Sequence, residues 1–104
     1  MSVLPFRLLP DTATVGDDGR LQVGGCDVLD LAAEFETPLF VFDEAHLRAR
    51  CREAVAAFGG GVAYATKAFL CRAMAKLAHE EGMQLDVATG GELFVALDAG
   101  VPAT

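Results

Sequence analysis

Three places in the chain combine polar groups with apolar surroundings in a way that could do chemistry: Lys67, Asp86 and the segment Thr89-Gly90-Gly91-Glu92. Lys67 follows the apolar run VAYA (62–65) after one residue, Thr66, and stands ahead of a predicted apolar helix. A lysine desolvated at such a place is the type that forms Schiff bases with carbonyls. The helix N-terminus expected beyond it disfavours a cation. Strand alternation puts Ala63, Ala65 and Lys67 on one face and Val62, Tyr64 and Thr66 on the other. Small residues below the lysine leave space beside its amine, as a bound cofactor would need. The ordinary alternative is a lysine snorkelling from a strand end into solvent.

Asp86 interrupts the apolar run LDVA (85–88). In a strand covered on both faces its carboxylate needs a partner, because an unpaired buried charge costs several kcal/mol. A neighbouring strand's lysine or a cationic ligand would serve; a wet position near the strand's start is the alternative. Glu92 closes the pattern Thr-x-x-Glu, which explains itself as a helix cap. Gly90 and Gly91 have the strand-to-helix polarity of an anion site, yet two glycines are a weak signal. Glycines 59–61 lead from helix to strand, the wrong polarity for a phosphate cradle. His46 and His79 lack partners at ligand spacing, so no metal site is expected.

The elements that must hold these residues repeat. LFVF (39–42), VAYA and LDVA begin 23 positions apart, at Leu39, Val62 and Leu85. Short apolar runs without alternation suit strands of a parallel sheet. Helical patterns lie between them. Asp43 is a plausible N-cap for the first, with Leu47, Cys51, Ala54, Val55 and Phe58 on one face. Leu70, Ala73, Met74, Leu77 and Ala78 form the stripe of the second, with Gly82 as its C′ residue. Thr89 opens the third. The reading is (βα)₃ with parallel strands, whose active-site end is the carboxyl end of the strands. Either an open doubly wound sheet or a partial (β/α)₈ barrel would fit. Residues 1–38 differ: turn signals at GDDG (16–19) and Gly24-Gly25 suggest one or two strands, then a short helical piece around DVLDLAAEF.

The chain has 104 residues, 53% of them hydrophobic, and a net charge of −7. Disorder is therefore not expected, and the acidity argues against nucleic acid and anionic membranes. No signal peptide and no membrane-length apolar run is evident. Cys26, Cys51 and Cys71 read as buried free thiols of a reducing, cytoplasmic compartment. Three βα units leave open edges, so the chain is expected to be the N-terminal portion of a larger protein.

TPLFVFDEAHLRARCREAVAAF, followed by VAYATKAFLCRAMAKLAHEEGMQLDVATGGELFVALDAGVP, resembles the start of the fold-type III, PLP-dependent group-IV decarboxylases. The AYATKAFLC segment with LDVATGGEL about twenty residues on looks most like the diaminopimelate branch, particularly its actinobacterial-type members. The resemblance is dense over residues 37–104 and loose over 1–36. It implies an α/β fold, the first βα units of a TIM-like (β/α)₈ PLP-binding barrel at 37–104, preceded by a strand segment of a separate β-domain at 1–36. It implies that Lys67 forms the internal aldimine with pyridoxal 5′-phosphate. Ala65 and Asp86 match cofactor-lining positions, and Glu92 matches a glutamate near the site. The implied reaction is decarboxylation of meso-diaminopimelate to L-lysine and carbon dioxide, by a homodimer acting on a small amino acid.

The family's phosphate-binding loop, its carboxylate facing the pyridinium nitrogen, its substrate arginines and its partner-subunit cysteine fall outside these 104 residues. An ornithine or arginine decarboxylase remains an alternative, because the selecting residues are among those. A PLP-dependent racemase, a PLP-homeostasis protein and a silent truncated product are the other rivals. YATKAFLC and the preceding β-type region count against the racemase and the homeostasis protein.

Overall fold

The computed structural model describes residues 4–103, a mixed α/β chain that divides into two compact units between Leu47 and Arg48. In the first unit, strands β1 (Thr14–Val15), β2 (Leu21–Val23) and β3 (Cys26–Asp27) form an antiparallel sheet in that order. Both turn signals act as expected. The segment after Gly16 reverses the chain between β1 and β2, with the Gly16 amide donating to the Arg20 carbonyl at 2.9 Å. Gly24 and Gly25 join β2 to β3 with φ of 60° and 80°, the paired left-handed conformation of a two-residue hairpin.

Helix α1 (Val28–Phe35) then starts on Asp27, whose carboxylate accepts from the Leu29 and Asp30 amides at 2.8 and 3.3 Å. Asp43 likewise caps α2 (Glu44–Phe58), accepting from the Ala45 amide at 3.1 Å. Its second oxygen accepts from the Thr12 hydroxyl, which in turn accepts from the Gly24 amide. These bonds satisfy a carboxylate that is only 7% exposed.

In the second unit, β4 (Ala63–Ala65) and β5 (Gln84–Asp86) pair in parallel, with Ala63 opposite Gln84 and Ala65 opposite Asp86. Helix α3 (Arg72–Glu80) connects them, and α4 (Gly90–Asp98) follows β5. Both helices end alike. Gly82 and Gly100 have φ of 90° and 94°. The Met83 and Val101 amides reach back to the Ala78 and Ala96 carbonyls at 3.0 and 3.1 Å. These are Schellman closures, which fix where each helix releases the chain. Met74, Ala75, Leu77 and Ala78 of α3, Ala96 of α4 and Cys51 of α2 form the buried core. The covered arc of α3 thus takes Ala75 rather than the expected Ala73, which is exposed.

The expected strand at LFVF does not form. Residues 39–42 join no ladder, and Phe40 is 90% exposed. A strand exists through its backbone partners, and among the described residues none is hydrogen-bonded to this run as a ladder. The thiols also differ from expectation: all three are free, but only Cys51 is buried. Cys26 sits at the mouth of the β2–β3 hairpin and Cys71 is the N-cap of α3, both at solvent-facing bends. Among the described residues, no helix is long and apolar enough to cross a membrane.

Candidate functional site

The β4–β5 pair has one covered face and one open face. Val62, Tyr64 and Thr66 alternate inward with Met83, Leu85 and Val87; Ala63, Ala65, Gln84 and Asp86 point the other way and are exposed. Both strands run toward the same end, where Asp86 closes β5 and Lys67 follows β4. That is the carboxyl end, the side on which parallel α/β sheets bind ligands. The register makes Ala65 the direct partner of Asp86, so two predicted site residues share one face at one edge of the pair.

Lys67 lies in a single 3-10 turn, Thr66–Ala68, and the chain is extended again at Phe69. The structure thereby corrects two expectations. Helix α3 begins only at Arg72, so the turn separates Lys67 from the helix N-terminus; a macrodipole acts within about one turn of its end. Lys67 is also exposed rather than desolvated, since none of the described residues covers it. Asp86 is exposed for the same reason, and the cost of a buried carboxylate does not arise. Among the described residues, neither the Lys67 amine nor the Asp86 carboxylate has a hydrogen-bond or ion-pair partner.

Glu92 is engaged in capping. Its amide donates to the Thr89 hydroxyl at 3.1 Å, and its carboxylate accepts from the Ala88 amide at 2.7 Å. The pair of bonds ties the loop leaving β5 to the first turn of α4, a close variant of the capping box. A Cβ at Gly90 would meet nothing within 4 Å, so the turn does not require glycine for space.

Two hydroxyls that carried no weight in the sequence hold the Lys67 turn. The Thr66 hydroxyl donates to the Asp86 carbonyl at 2.9 Å, and Thr66 is only 2% exposed. The Tyr64 hydroxyl donates to the Phe69 carbonyl, spanning the turn from its other side. Burial pushes the Tyr64 phenol up, which keeps it a donor. The available signal was a polar Thr66 on the face otherwise filled by Val62 and Tyr64.

The open face offers the Asp86 carboxylate and the small side chains of Ala63 and Ala65, and the Lys67 amine follows β4 at the same strand end. This donor set fits a cofactor that carries an aldehyde and a polar ring. A groove of about 640 Å³ lies elsewhere, between β5 and α4, lined by Leu85, Val87, Leu93, Leu97 and Val101. Neither Lys67 nor Asp86 borders it, and its polar side chains are His79 and Gln84 in an otherwise apolar lining. Among the described residues, no group of three or more His, Cys, Asp or Glu side chains could hold a metal.

Known proteins share this segment. The chain is 53% identical over 101 residues to the diaminopimelate decarboxylase of Mycobacterium leprae, covering 95% of this chain and 21% of that protein. It is 46% identical over 100 residues to that of Bacillus subtilis, covering 91% of this chain and 23% of the relative. A crystal structure of a protein from Aquifex aeolicus superposes with a TM-score of 0.80 at 34% identity, over 88% of this chain and 23% of the other. The chain thus spans about a fifth of the length of the curated relatives it matches. Residues 44–104 match the family described as pyridoxal-dependent decarboxylase, pyridoxal binding domain. This chain belongs to the pyridoxal-dependent decarboxylase family.

Proposed function

We propose that this segment supplies the cofactor lysine of a decarboxylase that converts meso-diaminopimelate to L-lysine and carbon dioxide. The observation that supports the reading is that Lys67 and Asp86 stand at the carboxyl end of a parallel pair whose exposed face carries Ala63, Ala65 and Asp86. The names of the Mycobacterium leprae and Bacillus subtilis relatives support the substrate. Pyridoxal phosphate, when bound, supplies the electron sink that decarboxylation requires.

The chain's own residues divide the work. Lys67 presents a primary amine that can hold the cofactor and exchange a proton at Nζ. Ala65 leaves room beside it. Asp86 places a negative charge at the neighbouring strand end, suited to a cationic group. Glu92 keeps the loop after β5 in place and puts a second carboxylate nearby. In this reading residues 37–104 begin a (β/α)₈ barrel within a longer, cytoplasmic, homodimeric protein, and residues 1–36 lend a strand to a separate β-domain.

The test is carbon dioxide release by the longer protein that carries this segment, offered meso-diaminopimelate, ornithine and arginine in parallel. Release from meso-diaminopimelate alone, abolished by Lys67→Ala, is the expected result. Release from ornithine or arginine instead would overturn the substrate. Unimpaired release by Lys67→Ala would overturn the role of the lysine.

A further inference from the structure

We propose that Thr66 is a positioning residue for Lys67, its buried hydroxyl fixing the turn that aims the amine; the inference rests on the decarboxylase reading above. The β4–β5 ladder ends at the Ala65–Asp86 pair. One residue later the chain leaves the strand for the 3-10 turn Thr66–Ala68. Past that point the backbone of β4 is no longer in strand conformation, and the Asp86 carbonyl takes a side-chain donor: the Thr66 hydroxyl, at 2.9 Å. A side-chain hydroxyl substitutes for a ladder amide in this way when the backbone must turn.

The location is what gives this bond its consequence. Thr66 adjoins Lys67 in sequence, and its acceptor belongs to Asp86. One bond therefore sets the spacing of the two strand ends that carry the amine and the carboxylate. The Tyr64 hydroxyl, bonded to the Phe69 carbonyl, closes the turn from the far side. Packing alone would be met by valine, which has the shape of threonine without the donor. A hydroxyl in a position only 2% exposed is specific to the bond it makes.

Thr66→Val, Thr66→Ser and Tyr64→Phe in the longer cofactor-loaded protein test the assignment. Thr66→Val is expected to lower kcat about tenfold with KM little changed, as small misplacements of a reacting group do. It should also shift the pH at which the bound cofactor's visible absorption band changes, and speed hydrogen exchange of the Lys67 and Ala68 amides. Thr66→Ser should restore all three readouts. Tyr64→Phe should give a smaller loss of the same kind, and it decides the matter should Thr66→Val fail to fold.

Parental kcat, absorption and pH dependence in Thr66→Val, with only the melting temperature lowered, would overturn the assignment and leave a structural threonine. So would parental behaviour of Tyr64→Phe where Thr66→Val does not fold. A parent protein that takes up no pyridoxal phosphate would overturn the decarboxylase reading itself, and this inference with it.

Discussion

The covered and open faces of the β4–β5 pair are built from the same strands and could hardly differ more. Inward, Tyr64, Thr66, Leu85 and Val87 meet helices closed by Schellman turns, and the buried side chains of α3 and α4 lie close by. Outward, Ala63, Ala65, Gln84 and Asp86 meet solvent. The covered face is determined by neighbours in sequence, since each helix follows the strand it packs near. The open face carries Ala65 and Asp86, and none of the described residues covers it. Stability and reactivity are therefore separable here.

Isolating the segment should produce the largest effect. Alone, residues 1–104 should release no carbon dioxide from meso-diaminopimelate and hold pyridoxal phosphate only weakly. Large side chains such as Phe40, Phe58 and Phe94 are 90%, 78% and 64% exposed, which favours association. Strong binding of a hydrophobic dye and a broad, non-cooperative melt are the expected signs. A cooperative, monomeric, active segment would erase the distinction between the faces.

Within the longer protein, substitutions on the two faces should separate by readout. Leu77→Ala on the covered side should cost about 2–4 kcal/mol in denaturant unfolding, with kcat of the folded fraction unchanged. Asp86→Ala on the open side should impair cofactor uptake or turnover while moving stability by no more than about 0.5 kcal/mol. Reversed outcomes would mean that the faces are misassigned.

The loop after β5 gives a finer comparison. Thr89→Ala removes the N-cap acceptor and should cost about 1 kcal/mol. Glu92→Gln keeps an oxygen for the Ala88 amide and removes the charge, so it should preserve stability. Lost turnover in Glu92→Gln would assign the charge to the site; unchanged turnover would leave only the cap.

The smallest effect concerns the surface joining α2 to α3. Hydrogen bonding from Arg52, reinforced by Arg48, holds the Glu81 carboxyl below its ordinary value of 4.5. Arg52 Nε lies 2.7 Å from Glu81, and Arg48 lies 3.3 Å from it and 3.0 Å from Glu80. A depressed carboxyl contributes stability that is complete above its unfolded pKa and is lost as pH falls through the folded one. The urea midpoint should therefore fall as the solution is acidified below about pH 4.5, and less steeply in Arg52→Met. Equal acid slopes in the two proteins would remove the pair from the account.

The covered face was the more legible in sequence. Asp43 and Thr89 act on their own helices, and Gly82 ends α3, so local chemistry suffices. LFVF forms no strand here because apolar content describes a buried strand but does not supply its partner. The chemistry of Lys67, Ala65 and Asp86 was visible as residue types, and strand alternation placed Ala65 with Ala63. The exposure of the lysine is not visible, because it depends on which residues pack against it. The role of Thr66 is not legible locally, because it lies in a bond to a carbonyl twenty residues away.

The central claim is that the open face presents Lys67, and not another amine, to pyridoxal phosphate. The chain has two lysines, Lys67 and Lys76, and both are exposed, so exposure alone does not choose between them. Borohydride reduction of the longer protein loaded with pyridoxal phosphate, followed by peptide mapping, tests the claim directly. A stoichiometric pyridoxyl label on Lys67 is the predicted result; a stoichiometric label on Lys76, on α3, would contradict it.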